Sequence, residues 1–389
     1  MPSMNISGAH HSNLEHGRVG PRVTVLSDIL KPEANNFGLI RLGLAMAVLV
    51  SHAFYFKTGT PKAEPLTAWT GHSLGEHGVQ VFFFLSGLLV AQSLAHSRGL
   101  ADFALARALR IFPGLLVCVL LTAFVLGPLF TTLDISAYLS DPGVFSYIVR
   151  TLSLSTGLAP LPGVFETLPA AGTVNMSVWT LKYEVLCYIL LAMAGLAGLL
   201  NPRWRTVAAT VLAIFIALVF IEPPKSAEGY TASDNVRYFS LFFASGVLAY
   251  LLRNVLVLDW RIWALLGGAF YGALGTNFGE LGTALFLGYG ALMLAALPAR
   301  MSRRFANRYD LSYGVYIYAS PVQQAVVELL PDWTVGGQIL AATPIVMALA
   351  FLSWVIIERP ALTLRWRSAP ALDRLAVRIE SIRRPRGAH

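Results

Sequence analysis

The stretch FGLIRLGLAMAVLVSHAFYF, residues 37–56, is apolar over the roughly 20 residues a helix needs to cross a bilayer, yet it holds Arg41 and His52. Ionisable groups in hydrocarbon are costly, so each is a functional-site candidate by default. Their spacing adds geometry. At about 3.6 residues per turn and 1.5 Å per residue, eleven residues make roughly three turns and about 16 Å, with both side chains on nearly one face. A charged group then sits near one membrane surface and a titratable group near the other. That suits a tunnel that rests the charged end of a cofactor on one side and performs chemistry at the opposite side. Taken singly, Arg41 could be an anchor reaching for the interface and His52 an interfacial histidine; the pair on one face favours the tunnel.

Outward from this segment the chain keeps the same character. It has 389 residues, 56% hydrophobic and only 13% charged, where a soluble domain is about 25% charged. Ten segments are apolar over about 17–25 residues: near 36–57, 76–96, 111–131, 177–199, 205–222, 237–253, 259–275, 278–297, 309–330 and 335–357. The expectation is an all-α polytopic membrane protein of about ten transmembrane helices, with both termini on one side. Twenty-two of the 29 Lys and Arg fall on that side, against five on the other, with Arg41 and Lys182 inside spans. By the positive-inside rule the termini are cytoplasmic. The net charge of +8 is therefore a topology signal and calls for no nucleic acid; the basic end of the chain reads as a strip on anionic lipid headgroups.

The organisation follows: residues 1–35 a polar N-terminal tail, 36–358 a transmembrane domain, 359–389 a basic cytoplasmic tail. MPSMNISGAHHSNLEHG lacks a basic region followed by an apolar one, so no cleaved signal peptide is expected. Cys118 and Cys187 lie in apolar segments and form no disulfide framework. No repeat is visible, which counts against transporters built from duplicated halves. The longest connection, 132–176, is rich in Ser, Thr, Gly and Pro and reads as a functional or disordered loop on the outer side. Residues 223–236 form a second polar outer loop.

Few constellations carry chemistry. Arg107 and Arg110, in RALRIFPG, are either topology anchors or forks for a phosphate-bearing ligand. Glu184, in VNMSVWTLKYEVLCY, is expected about 10 Å below the outer surface, level with His52, with Tyr188 one turn on. Its carboxylate could pair with His52 and fix the ring's tautomer; Lys182 is the competing partner. Gln323 and Gln324 fall toward the outer side, where they could line a sugar site with Trp179 and Tyr188. Ser86-Gly87 reads as close helix packing, His72 and His77 as solvated loop residues, and Glu358-Arg359 as a membrane-edge ion pair. Metal sites, phosphate loops, dinucleotide fingerprints and hydrolase elbows are absent, and no metal is expected.

In their order, NNFGLIR…SH, GVQVFFFLSG, RALRIFP, NMSVWTLKYEVLCY, DLSYGVYIY and ERPAL resemble the acyltransferase-3 family of membrane-bound acyltransferases, over about residues 35–362. The similarity is greatest to bacterial exopolysaccharide and surface-glycan O-acetyltransferases. It implies transfer of an acyl group, usually acetyl from acetyl-CoA, onto a sugar hydroxyl of a glycan or lipid-linked oligosaccharide at the outer face of the inner membrane. It implies a catalytic His52, with Arg41, Arg107 and Arg110 linked to the acyl donor and Glu184 at an acidic family position. The family commonly has Asp where this chain has Gln80, so no role passes to that residue. A transporter of a glycan or lipid-linked intermediate, and a membrane scaffold for a synthase, are the rival classes.

Overall fold

The computed structural model describes residues 24–31, 35–156, 158–198, 200–221, 231–298 and 308–365. Most of the expected N-terminal and basic C-terminal tails, and of the loop 223–236, lie outside the described residues. Within them the chain is helical, with two isolated backbone bridges, Val25 to Val257 and Thr131 to Val164. The main helices are α1 (Phe37–Thr58), α2 (Leu74–Ala95), α3 (Leu100–Leu121), α4 (Pro142–Leu152), α5 (Leu181–Leu196), α6 (Arg205–Ile221), α7 (Ala232–Leu251), α8 (Trp260–Ala273), α9 (Gly279–Ala296), α10 (Ser312–Leu329) and α11 (Val335–Ser353).

Seven helical segments among the described residues are long and apolar enough to cross a membrane: Phe37–Thr58, Leu74–Ala95, Leu100–Phe130, Met176–Leu196, Pro202–Val219, Gly279–Ala296 and Val335–Arg365. Large apolar side chains such as Leu218, Leu265 and Leu340 are exposed around the bundle, as lipid-facing surface requires. The protein is a multi-pass membrane protein. The three other expected spans fall on α7, α8 and α10. Helix α8 has 14 residues, about 21 Å of rise, short of a bilayer core of about 30 Å. Helix α10 carries Tyr, Ser and Gln and is buried along almost its whole length.

Local signals set the helix ends. Ser73 and Glu76 form a reciprocal capping box at the start of α2, Ser73 Oγ accepting from the Glu76 amide at 3.1 Å and the Ser73 amide donating to Glu76 Oε2 at 2.6 Å. Gly59, at φ 73°, ends α1 in the left-handed conformation that glycine adopts without strain. Helix α2 packs against α1, α7 and α9, and α10 against α1, α3 and α11. At the α2–α7 contact the backbones meet closely, because Gly87 and Gly246 face each other's helix: a Cβ on either would lie 1.9 Å from the carbonyl oxygen of Phe243 or Phe84. Small residues that let backbones meet are the usual adhesive between membrane helices.

The segment 132–176 is folded, not open. It carries α4 and buries Tyr147, Leu161, Val164, Phe165 and Val174. Its end is tied into the middle of α10. Pro321 has no amide hydrogen, so the Ile317 carbonyl loses its helical donor; Asn175 Nδ2 replaces it at 2.9 Å, with Cys118 Sγ at 3.2 Å. The Ser177 amide and hydroxyl meet Ser320 Oγ at 3.2 and 3.0 Å. Cys118 and Cys187 are buried free thiols.

Candidate active site

Three cavities follow one another through the bundle. The first opens beside Asn35, Gln92, His96 and Asp310 and is walled by Arg41. The second, about 130 Å³, gathers Arg41, Arg107 and Arg110 with Ser86, Glu184 and Tyr188. The third, about 240 Å³, holds His52 with Glu76, Trp179, Asn235 and Tyr238. Arg41 and Leu89 border the first and second. Val79, Thr180 and Tyr316 border the second and third.

Arg41 on α1 converges with Arg107 and Arg110, one turn apart on α3, because α1, α3 and α10 meet at this end. Arg41 Nη2 and Arg110 Nη2 both donate to Asp310 Oδ2, at 3.0 and 2.8 Å. Arg110 Nη1 also reaches Glu358 Oε2 at 3.5 Å, and Ser353 Oγ donates to Glu358 Oε1 at 2.8 Å. Glu358 is 2% exposed and its partner is Arg110, so the expected ion pair with Arg359 gives way to one across the bundle; a buried carboxylate needs a cation and finds the nearest. Arg107 is different. No carboxylate pairs with it among the described residues: its Nη2 reaches Ser93 Oγ at 3.4 Å, its Nε makes no hydrogen bond, and its guanidinium lies 5.8 Å from the Tyr188 ring centroid. A cavity with three guanidiniums, one of them without a carboxylate, can take an anionic group such as a phosphate.

At the other end His52 packs edge-on to Phe56, ring centroids 5.7 Å apart, and its buried Nδ1 makes no hydrogen bond. The expected Glu184–His52 pair is not formed. Glu184 Oε1 accepts from Tyr188 OH at 2.5 Å and from Ser86 Oγ at 3.3 Å, in the arginine cavity. The reason is depth. Asn175 and Ser177 are already 1% exposed, so the segment enters the bundle before α5 begins and carries Glu184 past the level of His52. Lys182, the rival partner, lies over the Tyr183 ring.

The other expected site residues divide. Trp179 faces the His52 cavity and Tyr188 the arginine cavity. Gln323 and Gln324 line neither. Gln323 Nε2 donates to the Leu49 carbonyl at 2.7 Å, and Gln324 Nε2 to those of Thr173 and Val174 at 2.7 and 2.8 Å, so they tie α10 to α1 and to the end of the segment 132–176. Gly87 is a packing residue as expected, while its neighbour Ser86 faces the cavity. His72 and His77 are not solvated. His72 Nε2 meets Glu280 Oε1 at 2.7 Å and its Nδ1 lies 3.7 Å from Glu76 Oε2. His77 bonds to Gln80 Oε1 at 2.8 Å and to Thr70 Oγ1 at 2.9 Å, and Gln80 Nε2 donates to the Tyr238 hydroxyl. Asp310, the hub of the arginines, carries no signal in the sequence beyond its place in DLSYG. Among the described residues no cluster of His, Cys, Asp and Glu is suited to a metal.

A multi-pass helical bundle with a cationic cavity bordering a histidine cavity has the layout of a membrane enzyme. The acyltransferase domain matches residues 35–359, and the chain belongs to the acyltransferase-3 family; it is a membrane-bound acyltransferase. It is 32% identical over 347 residues to an O-acetyl transferase of Shigella phage Sf6, covering 88% of this chain and 99% of that one. It is 28% identical over 364 residues to Nodulation protein 10 of Rhizobium leguminosarum bv. viciae, covering 85% and 94%. No solved structure matches it.

Proposed function

We propose that this enzyme moves an acyl group, acetyl foremost, from acyl-CoA on the cytoplasmic side to a sugar hydroxyl of an exopolysaccharide, other surface glycan or lipid-linked oligosaccharide on the far side of a bacterial inner membrane. In this reading ten helices cross the membrane, both termini are cytoplasmic, and the arginine end of the bundle faces the cytoplasm. The phage relative's name supports acetyl transfer to oxygen. The observation that carries the reading is the alignment of the Arg41–Arg107–Arg110 cavity with the His52 cavity through a shared wall.

CoA has phosphates at one end and its thioester at the end of a flexible arm. The phosphates are held by Arg107, Arg110 and Arg41 near the cytoplasmic mouth. The arm runs along α1, and the rise of about 16 Å from Arg41 brings the thioester to His52. A sugar hydroxyl is a weak nucleophile at neutral pH. A histidine within reach takes its proton as the hydroxyl oxygen attacks the thioester carbon, or carries the acyl group itself before passing it on. The carbon–sulfur bond breaks, the ester forms, and the proton leaves on the CoA thiol.

The test is purified protein in detergent with acetyl-CoA and an acceptor oligosaccharide, followed by thiol release and by the acceptor's mass. Acceptor-dependent thiol release with one acetyl added is expected, and His52→Ala lowers it about 10²–10⁴-fold, as loss of a general base does. After reconstitution into sealed liposomes, uptake of the oligosaccharide without thiol release would favour the transporter class. Wild-type turnover in His52→Ala would remove His52 from the chemistry.

A further inference from the structure

The wall between the two cavities is made of Val79, Thr180 and Tyr316. If the thioester enters from the arginine side and the hydroxyl from the other, the reacting carbonyl sits against this wall. Two of its three members carry hydroxyls, buried to 4% and 9% exposure, and those hydroxyls lie 2.6 Å apart. Thr180 ends the short 3₁₀ turn Met176–Thr180 before α5, and Tyr316 is in the second turn of α10. Both are held in place. Ser177, one turn before Thr180, bonds to Ser320 at 3.0 Å, one turn beyond Tyr316. The Tyr316 ring also packs edge-on to Phe82 at 6.0 Å.

Acyl transfer from a thioester passes through a tetrahedral carbon whose oxygen carries negative charge, and fixed donors aimed at that oxygen are usually a large part of catalysis. The cations of the donor cavity have other work in this reading: Arg41 and Arg110 also share Asp310, with Arg110 reaching Glu358, and Arg107 is left for a phosphate. Either oxygen of the pair can be the donor. If Thr180 donates to the Tyr316 oxygen, the phenolic hydrogen is free to point into the junction, and each bond in such a chain strengthens the next.

Building on the acyl-CoA reading above, we infer that Tyr316 is the donor to the thioester carbonyl oxygen, and that Thr180 is a positioning residue that fixes the phenol's direction. In the step, the hydroxyl oxygen bonds to the carbonyl carbon while His52 takes the hydroxyl proton. The carbonyl electron pair moves onto oxygen and is held by the Tyr316 O–H. The pair then returns, the carbon–sulfur bond breaks, and the thiolate takes the proton from His52. Tyr316 donates a hydrogen bond throughout and loses no proton.

The experiment compares Tyr316→Phe, Thr180→Val and Thr180→Ser in the acetyl-CoA assay, each checked by size-exclusion profile. Tyr316→Phe keeps the ring and its packing, and is expected to lower kcat about 10²–10³-fold, as removal of one oxyanion donor does, with the donor KM little changed. Thr180→Val is expected to lower kcat by a smaller factor, and Thr180→Ser, which keeps the hydroxyl, to restore it. Wild-type kcat in Tyr316→Phe, or a loss confined to KM, overturns the assignment while leaving the acyl-CoA reading intact. Absence of thiol release from the wild-type protein overturns both. If Tyr316→Phe fails to fold, the Thr180 pair decides alone: equal kcat in Val and Ser variants overturns the proposal.

Discussion

Arg107 stands apart from the two arginines it accompanies. Arg41 and Arg110 share one oxygen of Asp310, whereas no carboxylate pairs with Arg107 among the described residues. Its charge is thus the one most open to a phosphate. Arg107→Lys keeps a cation but loses the planar fork. Loss of a hydrogen bond to a charged group costs about 1.5–3 kcal/mol, so the donor KM is expected to rise roughly 10–100-fold with folding unchanged. Normal donor affinity in that variant would make Arg107 a topology anchor. Asp310→Asn acts on the fold instead. It leaves Arg41 without its carboxylate and Arg110 with Glu358 alone, and removing one member of a buried pair costs about 3–5 kcal/mol. The side chains here keep 16–30% exposure, so the lower end applies, read as a fall in thermal stability in detergent. Unchanged stability there would mean the shared contact adds nothing net. The three arginines were legible in the sequence because a charge within or beside an apolar segment stands out. Asp310 was not, because an aspartate at a segment boundary looks like any solvated one until the partners, 200 and 269 residues away, are known.

At the scale of elements, the fold rests on contacts whose sequence signals are small residues and a proline. Gly246 in α7 and Gly87 in α2 have no room for a Cβ against backbone. Gly246→Ala therefore forces the helices apart, and overpacking of this kind typically costs about 1–3 kcal/mol. Thermal unfolding in detergent measures it; a variant as stable as the parent would show that the helices part freely. Helix existence and the outer surface were readable from apolar runs. Depth was not. Counting residues from the edge of an apolar run assumes the run starts at the membrane surface. The segment 174–180 starts inside, held by the carbonyl that Pro321 frees in α10, and that moved Glu184 from the His52 cavity to the arginine cavity. The same shift made Tyr188 a neighbour of Arg107. Gln323 and Gln324 looked like sugar ligands because polar groups at that depth are rare; backbone carbonyls claimed their amides instead.

Across the described part of the molecule, two charge networks flank the chain of cavities. One is the Arg41–Asp310–Arg110–Glu358 network. The other is His72 with Glu280 and Glu76, which ties α9 to the start of α2 beside the His52 cavity. Burial by itself lowers the His72 pKa, but its hydrogen bonds to Glu280 and Glu76 and their charges outweigh this and hold it up at about 10. The ring of His77, 5.7 Å away, adds a weaker opposing charge when protonated. Because the folded pKa lies above the unfolded value of 6.5, the imidazolium contributes stability in full below pH 6.5, and that contribution is lost as pH rises toward about 10. His72→Gln should then be markedly less stable than the parent at pH 6, and the gap should close as pH approaches about 10. Glu280→Gln should narrow the same gap, since it removes the first partner. Thermal unfolding of the three proteins in detergent across this range checks it. A gap independent of pH would mean that His72 contributes packing rather than charge. The wall of the His52 cavity beside Glu76 would then owe nothing to a charged tie between α9 and α2, and its shape would rest on the glycine contact of α2 with α7 and on the bonds that the segment 173–177 makes to α10.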